Sequence, residues 1–359
     1  MSPRVIFTRI AAALMLVSCA CAGAAAAAER CSPFGDSPAQ VNHGIIASSV
    51  AAHNPICFGG RVLGPWQDAD GTDRYACIYE PAGHSRDNAL PLVVFIHGSI
   101  ATADSIKLTG LVGEIAQADL GGKKPGFILL APEGRYTAHY YPGLDSNAMG
   151  WDNWYRQLSP AGDVTVGGVT YKENVDAATI DHFIQQESAT GEVDRARIYL
   201  TGWSNGAAMA LLYALNRQSI AAAAVYSAPD PFGAFDDPCP QQPMTAAPIS
   251  NGQLQIFNPH IPLLHVRNSC DIGGICPNGN TFASQIRAIG VSLDDVILDA
   301  ESKPVTACDD SCGTDSMANG EVGTIGAVRG IGHHLRWPVA VNPQLFEFMK
   351  QHPLPAAGK

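Results

Sequence analysis

The chain has 359 residues, 46% of them hydrophobic and 15% charged, with a formal net charge of −11 at pH 7. That balance is globular rather than disordered. An acidic chain with no basic cluster argues against a nucleic-acid partner.

Residues 1–28 read as an export signal. Arg4 and Arg9 form a basic start, and Ile10 to Ala28 is an alanine-rich apolar run ending in small residues before Glu29. Cleavage near Ala28 would release a secreted or periplasmic protein with no stable membrane span. The alternative is Leu16-Val17-Ser18-Cys19, which resembles a lipobox and would place lipid on Cys19. Against it, Ala20 to Ala28 is apolar where a lipid tether is polar.

Residues 29–359 carry no repeat, low-complexity tract or internal linker, so they read as one domain. Arg61 to Trp66 and Arg74 to Glu80 are two strands around a polar hairpin turn. Leu90 to His97 is a continuous apolar run, the pattern of a strand buried on both faces, and it runs into His97-Gly98-Ser99-Ile100. Ala103 to Ala118 has the pattern of an amphipathic helix, and Gly126 to Ala131 that of a buried strand. This alternation predicts a mostly parallel sheet with helices on both faces.

The stretch Pro132 to Lys172 is long, rich in glycine and aromatics, and without helical period. Loops this long are usually functional. Trp151 and Trp154 within it either line a substrate pocket or anchor the loop to the core. Asn174 to Glu187 is a helix. Arg197 to Thr201 is a strand, followed at once by Gly202-Trp203-Ser204-Asn205-Gly206 and a strong helix former from Ala207 to Leu212. Strands follow at Ala221 to Tyr226, Ile261 to Arg267 and Thr324 to Val328, and Phe346 to Gln351 closes the chain as a helix.

Strand, Gly-x-Ser-x-Gly, helix is the context of a nucleophile elbow. The glycines remove the collisions that so sharp a turn would cause. The helix N-terminus favours negative charge developing beside Ser204. A serine hydroxyl needs an adjacent base, and the base needs a carboxylate to hold its tautomer. Asp271 follows the strand Ile261 to Arg267 by a short turn, and His333 follows the last predicted strand. The order Ser204, Asp271, His333 is therefore expected, with Asp230 the rival acid and His334 the rival base. The oxyanion hole is expected from the backbone N–H of Asn205 and a second one at Ser99 or Ile100. Trp203, Trp151 and Trp154 are the expected substrate-binding residues.

Ten cysteines are present; with Cys19 and Cys21 in the signal, eight remain. An even number in an exported chain argues for disulfides. Cys270 with Cys276, and Cys308 with Cys312, are the expected local pairs; the other four stay open. No paired C-x-x-C or His-Glu-x-x-His exists, and no Gly-x-Gly-x-x-Gly follows a strand, so neither a metal nor a nucleotide cofactor is expected.

From Leu90 to Pro338 the sequence resembles the polyhydroxybutyrate depolymerase and feruloyl esterase group of secreted α/β-hydrolases. The group's Leu-His-Gly appears as Ile96-His97-Gly98. Its elbow, Tyr-Val-Thr-Gly-x-Ser-x-Gly-x-x-Met, appears as Tyr199-Leu200-Thr201-Gly202-Trp203-Ser204-Asn205-Gly206-Ala207-Ala208-Met209. Its Pro-x-Leu-x-x-x-Gly-x-x-Asp runs from Pro262 to Asp271, with Asn268 where glycine is usual. Its Gly-His-x-Trp-Pro appears as Gly332-His333-His334-Leu335-Arg336-Trp337-Pro338, two residues longer. The resemblance implies an α/β-hydrolase fold and cofactor-free serine hydrolysis of a carboxylic ester, polymeric or feruloyl/acetyl. A peptidase or thioesterase of the same fold, or a non-catalytic binding protein, are the rival readings.

Overall fold

The computed structural model describes residues 55–68, 73–98, 101–136, 149–151, 164–166, 169–171, 175–231, 256–269, 271, 275–299, 302–309 and 337–355. The strands are β1 (Arg61–Gln67), β2 (Asp73–Tyr79), β3 (Leu90–Ile96), β4 (Ile128–Pro132), β5 (Arg135–Tyr136), β6 (Met149–Gly150), β7 (Val164–Val166), β8 (Val169–Tyr171), β9 (Val193–Gly202), β10 (Ala222–Tyr226), β11 (Leu263–Asn268), β12 (Leu293–Leu298) and β13 (Pro304–Val305). Four longer helices are α1 (Val175–Ala189), α2 (Asn205–Ala214), α3 (Ile275–Ala288) and α4 (Asn342–Gln351).

Nine strands form one sheet in the order β1-β2-β4-β3-β9-β10-β11-β12-β13. From β4 to β12 every neighbouring pair is parallel. The hairpin β1–β2 joins one edge antiparallel, and β13 the other. The mostly parallel sheet read from the alternation is therefore present.

The centre of the sheet explains its sequence. All seven residues of β3 are buried, because helices cover both faces. Leu92, Val94 and Ile96 point into one core cluster, with Phe183 of α1 and Leu211 of α2. Val93 and Phe95 point into the other, with Leu345 and Met349 of α4. Successive side chains thus serve opposite cores, as the strand period requires.

The structure differs from the sequence reading at three points. Ala103 to Ala118 is not one helix: a 3₁₀ turn spans Ala103–Leu108 and a single α turn spans Leu111–Glu114. Gly110 separates them in the left-handed region at φ 74°. The Thr109 hydroxyl closes the first turn on the Ile106 carbonyl and accepts the Leu111 N–H, competing with a continuous helix. Second, α3 and β12 were not legible. Pro277 and Gly279 sit inside α3 and read as breakers, and Asp294 and Asp295 interrupt β12. A Cβ on Gly279 would stand 2.5 Å from the Arg267 side chain, so that glycine makes room rather than ending the helix.

Third, the disulfides differ. Cys276 pairs with Cys308, and Cys57 with Cys77. The pairs Cys270–Cys276 and Cys308–Cys312 are excluded, because the first turn of α3 turns Cys276 toward the segment after β13. Arg267, fully buried, braces this corner: it makes a two-pronged ion pair with Asp295 at 3.0 and 2.6 Å and donates to the Cys276 carbonyl. The predicted strand Thr324 to Val328 lies outside the described residues, as do the expected signal and lipid-bearing Cys19. No helix among the described residues is long and apolar enough to cross a membrane.

Candidate active site

Ser204 ends the turn between β9 and α2, at φ 58° and ψ −124°. A non-glycine residue there is strained and persists only where its surroundings fix it. The fixing bonds are visible. Trp203 N–H donates to the Ile96 carbonyl at 3.1 Å, Ser204 N–H to the Tyr226 carbonyl at 3.2 Å, and Gly206 N–H back to Trp203 at 3.0 Å. A Cβ on Gly202 would stand 2.7 Å from the Gly206 carbonyl oxygen, and one on Gly206 would overlap the carbonyls of Ile96 and His97. Both glycines are required for clearance, and Ser204 is left half-buried at the N-terminus of α2.

His97 leaves the end of β3 fully buried. Its Nδ1–H donates to the Gly98 carbonyl at 2.8 Å, and its Nε2 accepts the Gly134 N–H at 2.9 Å. These partners fix one neutral tautomer. Burial pushes its pKa down to about 4, against the Gly98 hydrogen bond and the charge of Asp176, which pull it up. It therefore builds the loop and does not serve as a base at neutral pH.

Trp151 is fully buried in the first core cluster. Its indole N–H donates to the His97 carbonyl at 2.8 Å, and its backbone N–H to the Asn205 side-chain oxygen at 2.8 Å. Its ring lies 5.0 Å from that of His97. Its two N–H groups thus bond the residue that follows β3 and the first residue of α2. Trp203, another expected substrate contact, is 5% exposed and packs in the second cluster.

The sheet brings Ser204 and Asp271 to one edge. Ser204 bonds the Tyr226 carbonyl, and the next residue, Ser227, donates its hydroxyl to an Asp271 carboxylate oxygen. Ser227 is buried, with φ 58°. Asp271 is 3% exposed. Burial, and then the charge of Asp271, push the Tyr226 phenol well above its usual range. Asp230, the rival acid, is also buried at this edge; its N–H donates to the Asn278 side chain in α3. Ser99, Ile100, Trp154, His333 and His334 lie outside the described residues. Ser227 and the bracing role of His97 were not anticipated; a lone serine directly after an all-apolar strand is the only local sign of the former.

Arg74 of β2 lies buried behind this edge, between Asp68 at 3.0 Å and Asp176 at 2.6 Å, and donates to the Glu133 carbonyl at 3.2 Å. Among the described residues, Glu80, His84 and Glu192 could hold an ion. They lie at the opposite end of β9 from Ser204, with His84 Nε2 3.3 Å from Glu80 and 3.1 Å from Glu192.

No protein-family model and no curated protein matches the chain. Among solved structures, a thermostable esterase is 16% identical at TM-score 0.49, over 83% of this chain and 64% of that one. This chain therefore spans less than two thirds of that esterase. Esterase 2 of Thermogutta terrifontis, phosphoramylated by tabun, is 13% identical at TM-score 0.46, over 77% of this chain and 98% of that one. A putative dipeptidyl aminopeptidase IV from Bacteroides ovatus is 13% identical at TM-score 0.43, over 82% and 36%. At these scores the likenesses carry no argument. The α/β-hydrolase fold rests on the strand order and on the Ser204 turn.

Proposed function

We propose that the chain is an exported serine hydrolase of carboxylic esters. One observation carries the reading: Ser204 is the single strained residue of a strand-to-helix turn whose two flanking glycines have no room for a side chain. Such a turn serves to present a hydroxyl at a helix N-terminus.

In this reading Ser204 Oγ attacks the ester carbonyl while His333 takes its proton. The tetrahedral oxyanion receives N–H bonds from Asn205 and from Ser99. His333 returns the proton to the departing alkoxide, leaving an acyl-Ser204. Water, deprotonated by the same histidine, then releases the acid and restores the hydroxyl. Asp271 holds the imidazole and stabilises its charged form, and the Ser227 hydroxyl keeps that carboxylate in place. No step needs a metal or cofactor.

The substrate is proposed as a polyester of the hydroxyalkanoate kind or a feruloyl or acetyl ester. The disulfides Cys57–Cys77 and Cys276–Cys308 support export, since such bonds persist in oxidising compartments. A panel of p-nitrophenyl esters, hydroxybutyrate oligomers and methyl ferulate tests the reading. Hydrolysis of at least one class is expected. No turnover of any ester by the folded chain would favour a peptidase or a non-catalytic binding protein instead.

A further inference from the structure

Far from Ser204, three ligating groups converge where the chain leaves β2 and where it enters β9. His84 Nε2 stands 3.3 Å from a Glu80 carboxylate oxygen and 3.1 Å from one of Glu192. Each residue offers one ligand atom, and these atoms all lie within 4.8 Å of one another. A zinc ion bound tetrahedrally at about 2.0 Å keeps its ligand atoms about 3.3 Å apart, so the two edges that meet at the imidazole already have the right length. We propose that Glu80, His84 and Glu192 bind a divalent cation of the zinc class, which ties the connection between β2 and β3 to the start of β9.

The orientation of the imidazole supports this. His84 Nδ1 lies 3.0 Å from the Pro81 carbonyl oxygen. That oxygen only accepts, so Nδ1 carries the ring proton. Nε2 is left facing two carboxylates, where a lone pair needs a cation between. One ring nitrogen on a backbone carbonyl and the other toward the ion is how metal-bound histidines are held. The backbone under the ligands is fixed as well. Glu80 directly follows Tyr79, which pairs with Leu129 of β4. The Glu192 N–H donates to the Thr190 hydroxyl at 3.1 Å, and its carbonyl accepts the Leu90 N–H at 2.9 Å.

Charge points the same way. Glu187, in the last turn of α1, is a third carboxylate in this corner, and Arg61 meets it at 3.5 Å and Glu80 at 3.0 Å. Burial pushes the Glu187 carboxyl up; Arg61 opposes the rise, and the charges of Glu80 and Glu192 add to it. Lys124 and Arg86 stand nearby, but donate to the Gly83 and Thr190 carbonyls. A dication would offset the excess of carboxylates. The side chains of Glu80 and His84 are each 19% exposed and that of Glu192 31%, which leaves an entry path and room for a water as fourth ligand. The donor set selects the metal: an imidazole suits zinc, whereas calcium and magnesium take six or more oxygens.

The test titrates zinc chloride into the metal-stripped full chain at about pH 7.5 by calorimetry, for wild type, His84→Ala and Glu192→Gln. Circular dichroism of each stripped protein checks its fold, and Glu192→Gln keeps the shape should His84→Ala fail to fold. Wild type should bind zinc with a rise in Tm. A lost ligand should cost no less than the roughly tenfold to hundredfold in affinity that a lost supporting partner costs. Magnesium chloride should give no such rise. Absence of zinc binding by wild type would overturn the proposal and leave His84 as a protonated partner of the two carboxylates. Wild-type affinity in a folded variant, or an equal response to magnesium, would overturn it too. Ser204 lies at the other end of β9, so loss of the zinc site leaves the serine-hydrolase reading intact.

Discussion

Ser204 sits at φ 58° and ψ −124°, a conformation that glycine adopts without strain. Such strain costs about 1–3 kcal/mol, and glycine returns about 0.5–1 of that through the freer unfolded chain. Ser204→Gly should therefore gain about 1 kcal/mol and a higher Tm while losing activity. A lower Tm would mean the turn is not strained. Titration divides two other residues. His97, driven down to about 4 by burial, binds its proton more readily when unfolded. Its contribution is complete above the ordinary histidine value near 6.5 and is lost as pH falls toward about 4. Glu133 has the opposite sign. Raised from 4.5 to about 7, it contributes fully below the lower value and is lost as pH rises through the upper one. In wild type the two oppose each other between those limits. Glu133→Gln should therefore lose Tm more steeply than wild type on acidification from about pH 7 to pH 5; parallel curves would contradict this. Ser204 was legible because its strand, turn and helix are contiguous. Ser227 was not, because its bond to Asp271 joins residues 44 apart.

At the scale of elements, the sequence showed the central strands well and the α3 region poorly. β3 and β10 are apolar runs whose burial follows from composition alone, whereas in β9 the apolar run is only Ile198 to Leu200, and β11 buries His265, Arg267 and Asn268 as well. α3 forms although Pro277 and Gly279 argue against it, because Arg267, which donates to the Asn280 side chain, and Cys308, bonded to Cys276, hold it from outside. Its disulfide could not be deduced from spacing, since a nearer partner existed in sequence at Cys270. Cys276–Cys308 closes a separation of 32 residues, and chain entropy gives it about 3–4 kcal/mol. Cys276→Ser with Cys308→Ser should lower Tm by a corresponding amount. It should also reduce activity, because α3 supports the edge that carries Asp271 and Asp230. An unchanged Tm in the double variant would show that Arg267 and Asp295 hold the corner unaided.

At the scale of the whole molecule, the parallel strands deliver their C-terminal ends to one edge, where binding sites of α/β sheets lie. β3 supplies His97 and Gly98, β9 supplies Ser204, and the ends of β10 and β11 supply Ser227 and Asp271. The two core clusters pack against the strands from both faces. Ser204 is proposed as the nucleophile that this assembly activates. Treatment of the folded chain with a fluorophosphonate, followed by intact-mass measurement and peptide mapping, tests this most directly. Wild type should gain one adduct, on the peptide that carries Ser204, and folded Ser204→Ala should gain none; equal labelling of the variant, or no labelling of wild type, would contradict the account.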